Sequence, residues 1–216
     1  MRRGLALAGV ALGAACGGRG GLPPEIPPLV KGQDGREYRL VEKGPYKAFY
    51  DTWGRLDRID YDQNGDGRAD HIAHHDGAKT PHLIEVDEDF DGKVDRWEDY
   101  DKDGALVKVG TSRHGKGPDL WVIPGPGGAL AGKEYDDDRD GKIDRVETLD
   151  GGRIVKVEID ADRDGRMDRW QEWRGGRLAS EDLDTNGDGK PDRRLRYDAT
   201  GSVRSLEPLG AAKPLR

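Results

Sequence analysis

DEDFDGKVDRWEDYDKDGALVKVG, residues 87–110, is the stretch whose reading decides the fold. Its first nine residues set acids at positions 1, 3, 5 and 9 around a glycine at position 6. A short run containing RWEDY follows, then the turn DKDG, then ALVKV with branched residues in alternation. Runs of about five to seven residues between glycine-bearing turns are strand-length, and none reaches the ten or more that a helix wants. The unit therefore reads as an acidic loop, a strand, a tight turn and a second strand.

The unit recurs along the chain. DQNGDGRAD (62–70), DEDFDGKVD (87–95), DDDRDGKID (136–144), DADRDGRMD (160–168) and DTNGDGKPD (184–192) share the pattern D-x-[DN]-x-D-G-x-x-D. Their starts step by 25, 49, 24 and 24, and 49 is two periods, so a sixth unit belongs near 111. TSRHGKGPD (111–119) stands there, keeping Asp119 and losing the other acids. Six units of 24–25 residues make a repeat array. Gly54, Gly104, Gly128, Gly152, Gly176 and Gly201 give the register a second time, each followed two residues later by an aliphatic residue.

Apolar residues recur at position 11 (Ile72, Trp97, Trp121, Val146, Trp170), where Arg194 breaks the series. They recur again just before the loops, at Tyr61, Val86, Tyr135, Ile159 and Leu183, with Gly110 in the degenerate unit. Stacked unit on unit, they predict a thin ladder-like core. Two strands per unit make about twelve, antiparallel because short connections cannot join parallel neighbours. The expected fold is all-β: an antiparallel meander of about six hairpin units over residues 37–206, with 207–216 as a tail. YDKDGALVK (100–108) and YDATGSVRS (197–205) resemble the YD-type hairpins of bacterial repeat shells.

Composition says what must hold such a chain together. Leu, Ile, Val and Phe make up 40 of 216 residues, while 37% are charged and 33 are glycine. So few large apolar residues normally accompany disorder, and a single large core is excluded. The 43 acids are balanced by 36 bases, for a formal net charge of only −7. Something besides apolar burial has to order the chain, and the acidic loops are the candidates.

Ca²⁺ takes six to eight oxygen ligands from a flexible loop, and side chains at positions 1, 3 and 5 converge only where the chain turns sharply. Glycine at position 6 permits that turn. The expected ligand set is then Asp62, Asn64, Asp66, Arg68 and Asp70 in the first loop, and Asp87, Asp89, Asp91, Lys93 and Asp95 in the second. In the later loops it is Asp136, Asp138, Asp140, Lys142 and Asp144; Asp160, Asp162, Asp164, Arg166 and Asp168; and Asp184, Asn186, Asp188, Lys190 and Asp192. Position 7 contributes its backbone carbonyl, leaving a basic side chain to face solvent. The nine residues resemble the calcium loop of the EF-hand, dockerin and thrombospondin type 3 families and of integrin-like propellers. That resemblance implies calcium as the cofactor and leaves one alternative fold, helical EF-hand or dockerin-like pairs. Against it, a glutamate at position 12 occurs only as Glu98 and Glu147.

At the other end, MRRGLALAGVALGAAC (1–16) has two arginines, a short apolar run and a cysteine after small residues. It reads as a signal peptide over residues 1–15, too short to span a bilayer. Its end resembles the lipobox of bacterial lipoproteins, which implies lipidation at Cys16, a membrane partner and a bacterial cell-envelope location. Residues 16–36, Gly- then Pro-rich, read as a tether. Cleavage removes Arg2 and Arg3 and takes the formal charge from −7 to −9, which five Ca²⁺ would roughly neutralise.

No catalytic set emerges: no nucleophile elbow, Walker loop or Rossmann fingerprint is present. His71, His74, His75 and His82 invite a zinc reading, but on a strand His74 faces away from His71 and His75, so exposed strand residues are expected instead. Interspersed bases offer no stripe for nucleic acid. Two functions follow from the sequence. One is a non-enzymatic calcium-stabilised lipoprotein with a spacer or adhesion role toward a protein or glycan partner. The other is a dockerin-like interaction module.

Overall fold

In a computed structural model, residues 27–32, 34–112 and 117–209 are described. Cys16 and the whole of 1–26 fall outside them. Sixteen strands pair in strict chain order into one open antiparallel sheet. Four precede the first acidic loop: β1 (Leu29–Lys31), β2 (Glu37–Lys43), β3 (Tyr46–Tyr50) and β4 (Leu56–Tyr61). The six units then supply two each. They are β5 (His71–His74) and β6 (Leu83–Val86), β7 (Arg96–Tyr100) and β8 (Leu106–Thr111), and β9 (Leu120–Pro124) and β10 (Leu130–Tyr135). β11 (Arg145–Asp150) and β12 (Arg153–Ile159), β13 (Arg169–Arg174) and β14 (Arg177–Leu183), and β15 (Arg193–Tyr197) and β16 (Val203–Pro208) complete the series. Among the described residues the only helical turn is a 3-10 turn at Pro126–Gly128, so the helical-pair alternative is wrong, and no helix there is long and apolar enough to cross a membrane. β1 lies inside the stretch read as tether, and the strands of 29–61 add four to the expected twelve.

The glycines that carry the period earn their places by conformation. Gly54, Gly104, Gly128, Gly152, Gly176 and Gly201 all have positive φ, between 77° and 85°. In the turns at Asp51, Asp101 and Asp198, the aspartate Oδ1 accepts backbone N–H bonds from residues two and four ahead. The strand pairing then slips by one residue at Tyr50, Tyr100 and Tyr197, a bulge of the kind a left-handed glycine creates. At 151–152 and 175–176 both turn residues are left-handed glycines, as two-residue hairpins require.

Pairing register shows that the expected apolar ladder is interleaved with charge. The position-11 row on one face runs Ile72, Glu85, Trp97, Gly110, Trp121, Glu134, Val146, Glu158, Trp170, Asp182, Arg194. Every second strand contributes an acid or a glycine. Gly110 is small because a Cβ there would meet the Trp121 ring at 2.9 Å. Arg194 fits the row after all, since it donates two 2.6 Å bonds to Asp182 beside it. On the opposite face the pre-loop residues alternate with position 10, mostly arginine; the Arg145 guanidinium lies 3.8 Å from the Tyr135 ring centroid. With a single sheet and no second layer among the described residues, rings such as Trp121 and Tyr135 are covered instead by charged neighbours, Lys108 and Arg145.

Among the described residues only five apolar side chains are buried: Tyr38, Ala73, Val86, Trp97 and Val157. Trp97 is 8% exposed and donates its indole N–H to Glu85 at 3.3 Å. Trp97→Ala should therefore cost about 3 kcal/mol, read as a fall in the urea midpoint at unchanged slope. A loss under about 1 kcal/mol would mean the sheet does not depend on its few buried rings.

Candidate metal centre

Connections alternate between the two ends of the strands, so all the acidic loops lie along one margin of the sheet and the turns within the six units along the other. The loops are sewn together by the same pair of bonds. The position-9 aspartate N–H donates to the residue before its own loop (Asp70 to Tyr61, Asp95 to Val86, Asp144 to Tyr135, Asp168 to Ile159, Asp192 to Leu183). Its carbonyl accepts from position 1 of the next loop: Asp87 N–H to Asp70, Asp160 to Asp144, Asp184 to Asp168. These bonds extend the ladder past the strand ends and bury carboxylates between loops; Asp70, Asp87, Asp136, Asp144 and Asp160 are 2–7% exposed.

Within a loop the carboxylates hold the turn. Position 1 accepts the N–H of Gly67, Gly92, Gly141, Gly165 or Gly189 at position 6. Position 9 accepts the N–H groups of positions 2 and 3 in the 62–70, 87–95, 136–144 and 160–168 loops. Two residues per loop are left-handed. Glycine at position 6 was legible in the sequence; position 4 was not, because Phe90, Arg139 and Arg163 hold φ of 63–67° there. Its one clue is the glycine at 65 and 187, the same place in the first and last loops.

Among the described residues the result is three carboxylate triads: Asp87 with Asp89 and Asp95, Asp136 with Asp138 and Asp144, and Asp160 with Asp162 and Asp168. In each, the three ligand oxygens lie within 4.8 Å of one another. Two oxygens on opposite sides of one Ca²⁺, at 2.3–2.6 Å each, stand about 4.6–5.2 Å apart, so the spacing and the all-oxygen donor set fit a hard divalent cation. The 62–70 and 184–192 loops carry Asn64 and Asn186 at position 3, each accepting the N–H two residues on just as Asp89, Asp138 and Asp162 do. An amide oxygen serves there in place of a carboxylate.

Position 5 stands apart from the triads. Asp91, Asp140 and Asp164 turn to the basic residue at position 7, as ion pairs with Lys93, Lys142 and Arg166. The hydrogen bond from Lys93 holds the Asp91 carboxyl below its usual range, and that from Arg166 does the same for Asp164. The position-7 side chains thus do more than face solvent. Arg68 and Lys142 also reach the next loop, where a Cβ on Gly92 would meet Arg68 at 2.6 Å and one on Gly165 would meet Lys142 at 2.8 Å. Gly141 has open space around it at φ 89°, so Gly141→Ala isolates the backbone term. It should cost about 1–2 kcal/mol in thermal unfolding, and Gly165→Ala more. Equal losses would show that the interloop contact of Lys142 is immaterial.

The degenerate loop is one residue shorter than its repeat spacing suggests. Asp119 N–H donates to Thr111, and Thr111 pairs with Arg96 and Leu120 as Val86 and Tyr135 pair with their own partners. Thr111, not Gly110, is therefore the residue before this loop. Asp119 is 2% exposed and its carbonyl accepts the N–H of Asp136, so the sheet margin continues through the unit.

Residues tied to other readings are placed elsewhere. Glu98 and Glu147 sit mid-strand, accepting the hydroxyls of Tyr100 and Tyr135 and lying outside the triads; Arg96 and Arg145 bridge them to Glu88 and Asp137 of the loops. The four histidines do not converge. His71 meets Gln63, His74 meets Glu85, His82 lies 3.6 Å from Asp76, and His75 meets the Ala78 carbonyl. His75 is 7% exposed, buried where an exposed residue was expected, because it follows β5 into the turn.

No protein-family model matches the chain, and no curated protein does. Solved structures do match; one is a mutant of S. aureus TarM in complex with fondaparinux, alpha-GlcNAc-glycerol and UDP. It is 12% identical with a TM-score of 0.32, and the match covers 45% of this chain and 19% of that one. A likeness that slight carries no argument. What the geometry itself defines is a class: a single-sheet repeat protein with acidic loops along one margin, three of which gather carboxylates that could hold a metal ion.

Proposed function

We propose that this protein is a calcium-binding lipoprotein of the bacterial cell envelope, non-enzymatic, with a structural, spacer or adhesion role. On this reading it folds around about five Ca²⁺ and is anchored through lipid at Cys16. The observation that carries it is the three carboxylate triads, in the 87–95, 136–144 and 160–168 loops, each with oxygens within 4.8 Å of one another. Acids crowded this closely repel one another, and a divalent ion in each loop removes the repulsion while tying neighbouring strands. The dockerin-like module loses its footing, since the helical pairs on which it depends are strands.

Calorimetric titration of the full chain should show saturable Ca²⁺ binding approaching five equivalents and little heat from Mg²⁺, which holds its waters and demands octahedral geometry. No saturable binding at millimolar Ca²⁺ would overturn the reading. Cys16→Ser should move the protein from the membrane to the soluble fraction, or leave it unprocessed. A processed variant still in the membrane fraction would remove the anchor.

A further inference from the structure

On the opposite margin from the acidic loops, residues 34–36 and the turns at 51–55 and 75–82 come together at one end of the sheet. They enclose a concave site of about 560 Å³, whose lining includes Arg36, Tyr38, Trp53, Arg55, Asp57 and Asp76. Trp53 dominates it and is 79% exposed, the most of the exposed large hydrophobic residues among those described. Folding does not require an indole here. Turns of the same build carry Asp103 and Thr200 in its place; the aspartate of each turn accepts the backbone N–H of that residue, and Thr200 adds a bond from its hydroxyl. An exposed tryptophan that packs into no core, its ring met by the Arg55 guanidinium, marks a surface kept for a ligand.

The groups around it are already arranged. Asp51 anchors the turn and accepts from Arg55 Nε at 2.7 Å, which sets the Arg55 guanidinium 5.1 Å from the Trp53 ring centroid. Asp34 accepts from Tyr38 and from Arg36, and Arg36 reaches Asp57 at 3.5 Å. The Tyr38 hydroxyl bond, first among the causes, holds Asp34 down at about 2. These pairings engage both guanidinium groups and leave the lining, with four carboxylates to two arginines, net negative. A strongly anionic ligand would meet the four carboxylates of the lining, and a cation would meet the two guanidinium groups, one already at the indole. A ring with an apolar face and hydroxyls that both donate and accept suits indole, carboxylate and guanidinium together.

We propose that this site binds a neutral saccharide, with a sugar ring stacked on Trp53 and its hydroxyls shared between Asp57, Asp76 and the two arginines. The site shares no residue with the cation loops, so it stands whether or not those loops take Ca²⁺. The test is an array of neutral hexose and N-acetylhexosamine oligosaccharides probed with the full chain, each hit then titrated calorimetrically. Wild type, Trp53→Ala and Asp57→Asn are compared, with folding of each verified by its β-type circular dichroism. Trp53→Ala should melt within about 2 °C of wild type, because its side chain is solvent-exposed. It should nevertheless weaken a bound oligosaccharide at least about tenfold, and Asp57→Asn should weaken it too. The proposal is overturned if no neutral oligosaccharide binds, if binding survives Trp53→Ala, or if Trp53 proves to serve only an acidic glycan or a peptide.

Discussion

In millimolar Ca²⁺ the protein should melt about 15–25 °C higher than in EDTA, and Mg²⁺ should restore little of the difference. With a Kd of about 0.1 mM per loop and about 1 mM Ca²⁺, each occupied loop adds roughly 1.4 kcal/mol, or about 7 kcal/mol for five. In a chain of this length each kcal/mol moves the midpoint by about 2–4 °C. The effect is large because little else stabilises the sheet: five buried apolar side chains and no second layer among the described residues. About 7 kcal/mol is then comparable to a whole domain's stability, about 5–15 kcal/mol. Scanning calorimetry with equal melting temperatures in EDTA and in Ca²⁺ would sink the proposal.

Single substitutions separate what the ions do from what the carboxylates do by themselves. Asp144 belongs to a triad, is 7% exposed, and accepts the N–H groups of Asp137 and Asp138. Asp144→Ala should lose one ion by native mass spectrometry and also strand two N–H groups, for a combined cost of about 3 kcal/mol. Asp140→Ala, at position 5, should lose one ion too, at the smaller cost of about 1–2 kcal/mol, provided its carboxylate leaves Lys142 to bind the metal. Asp119→Ala is the control. Its loop has Ser112 where the others begin with aspartate and lacks their other acids, so the ion count should stay near five. Stability should still fall, because a buried side chain at the sheet margin is removed. Six ions in the parent, or one fewer in the Asp119 variant, would mean that the short loop holds metal after all.

Much of this was legible in the chain. The 24–25-residue period, the strand lengths and the conformation of Gly104 or Gly141 follow from local preferences, which neighbouring residues alone determine. Loop chemistry was legible for the same reason, since positions 1, 3, 6 and 9 act within nine residues. The four strands of 29–61 were harder to read individually, having no acidic loop to mark their register. Loop 112–119 was misjudged by one residue, because a deletion inside a degenerate loop leaves the flanking glycine period intact. Left-handed Phe90, Arg139 and Arg163 could not be seen in their residue types, since only the hydrogen bonds of the whole loop hold them there.

By itself, then, the sequence determined that the chain forms short antiparallel strands with a row of acidic loops at one end, because turns and alternation are short-range properties. Tertiary structure alone decided what each strand faces. Pairing set Glu85, Glu134 and Glu158 between Ile72, Trp97, Trp121, Val146 and Trp170, and so turned an expected apolar ladder into one interleaved with charge. It also gathered three distant turns around Trp53. Those outcomes depend on contacts between residues a dozen or more apart, where register and side-chain competition, not local preference, select the partner.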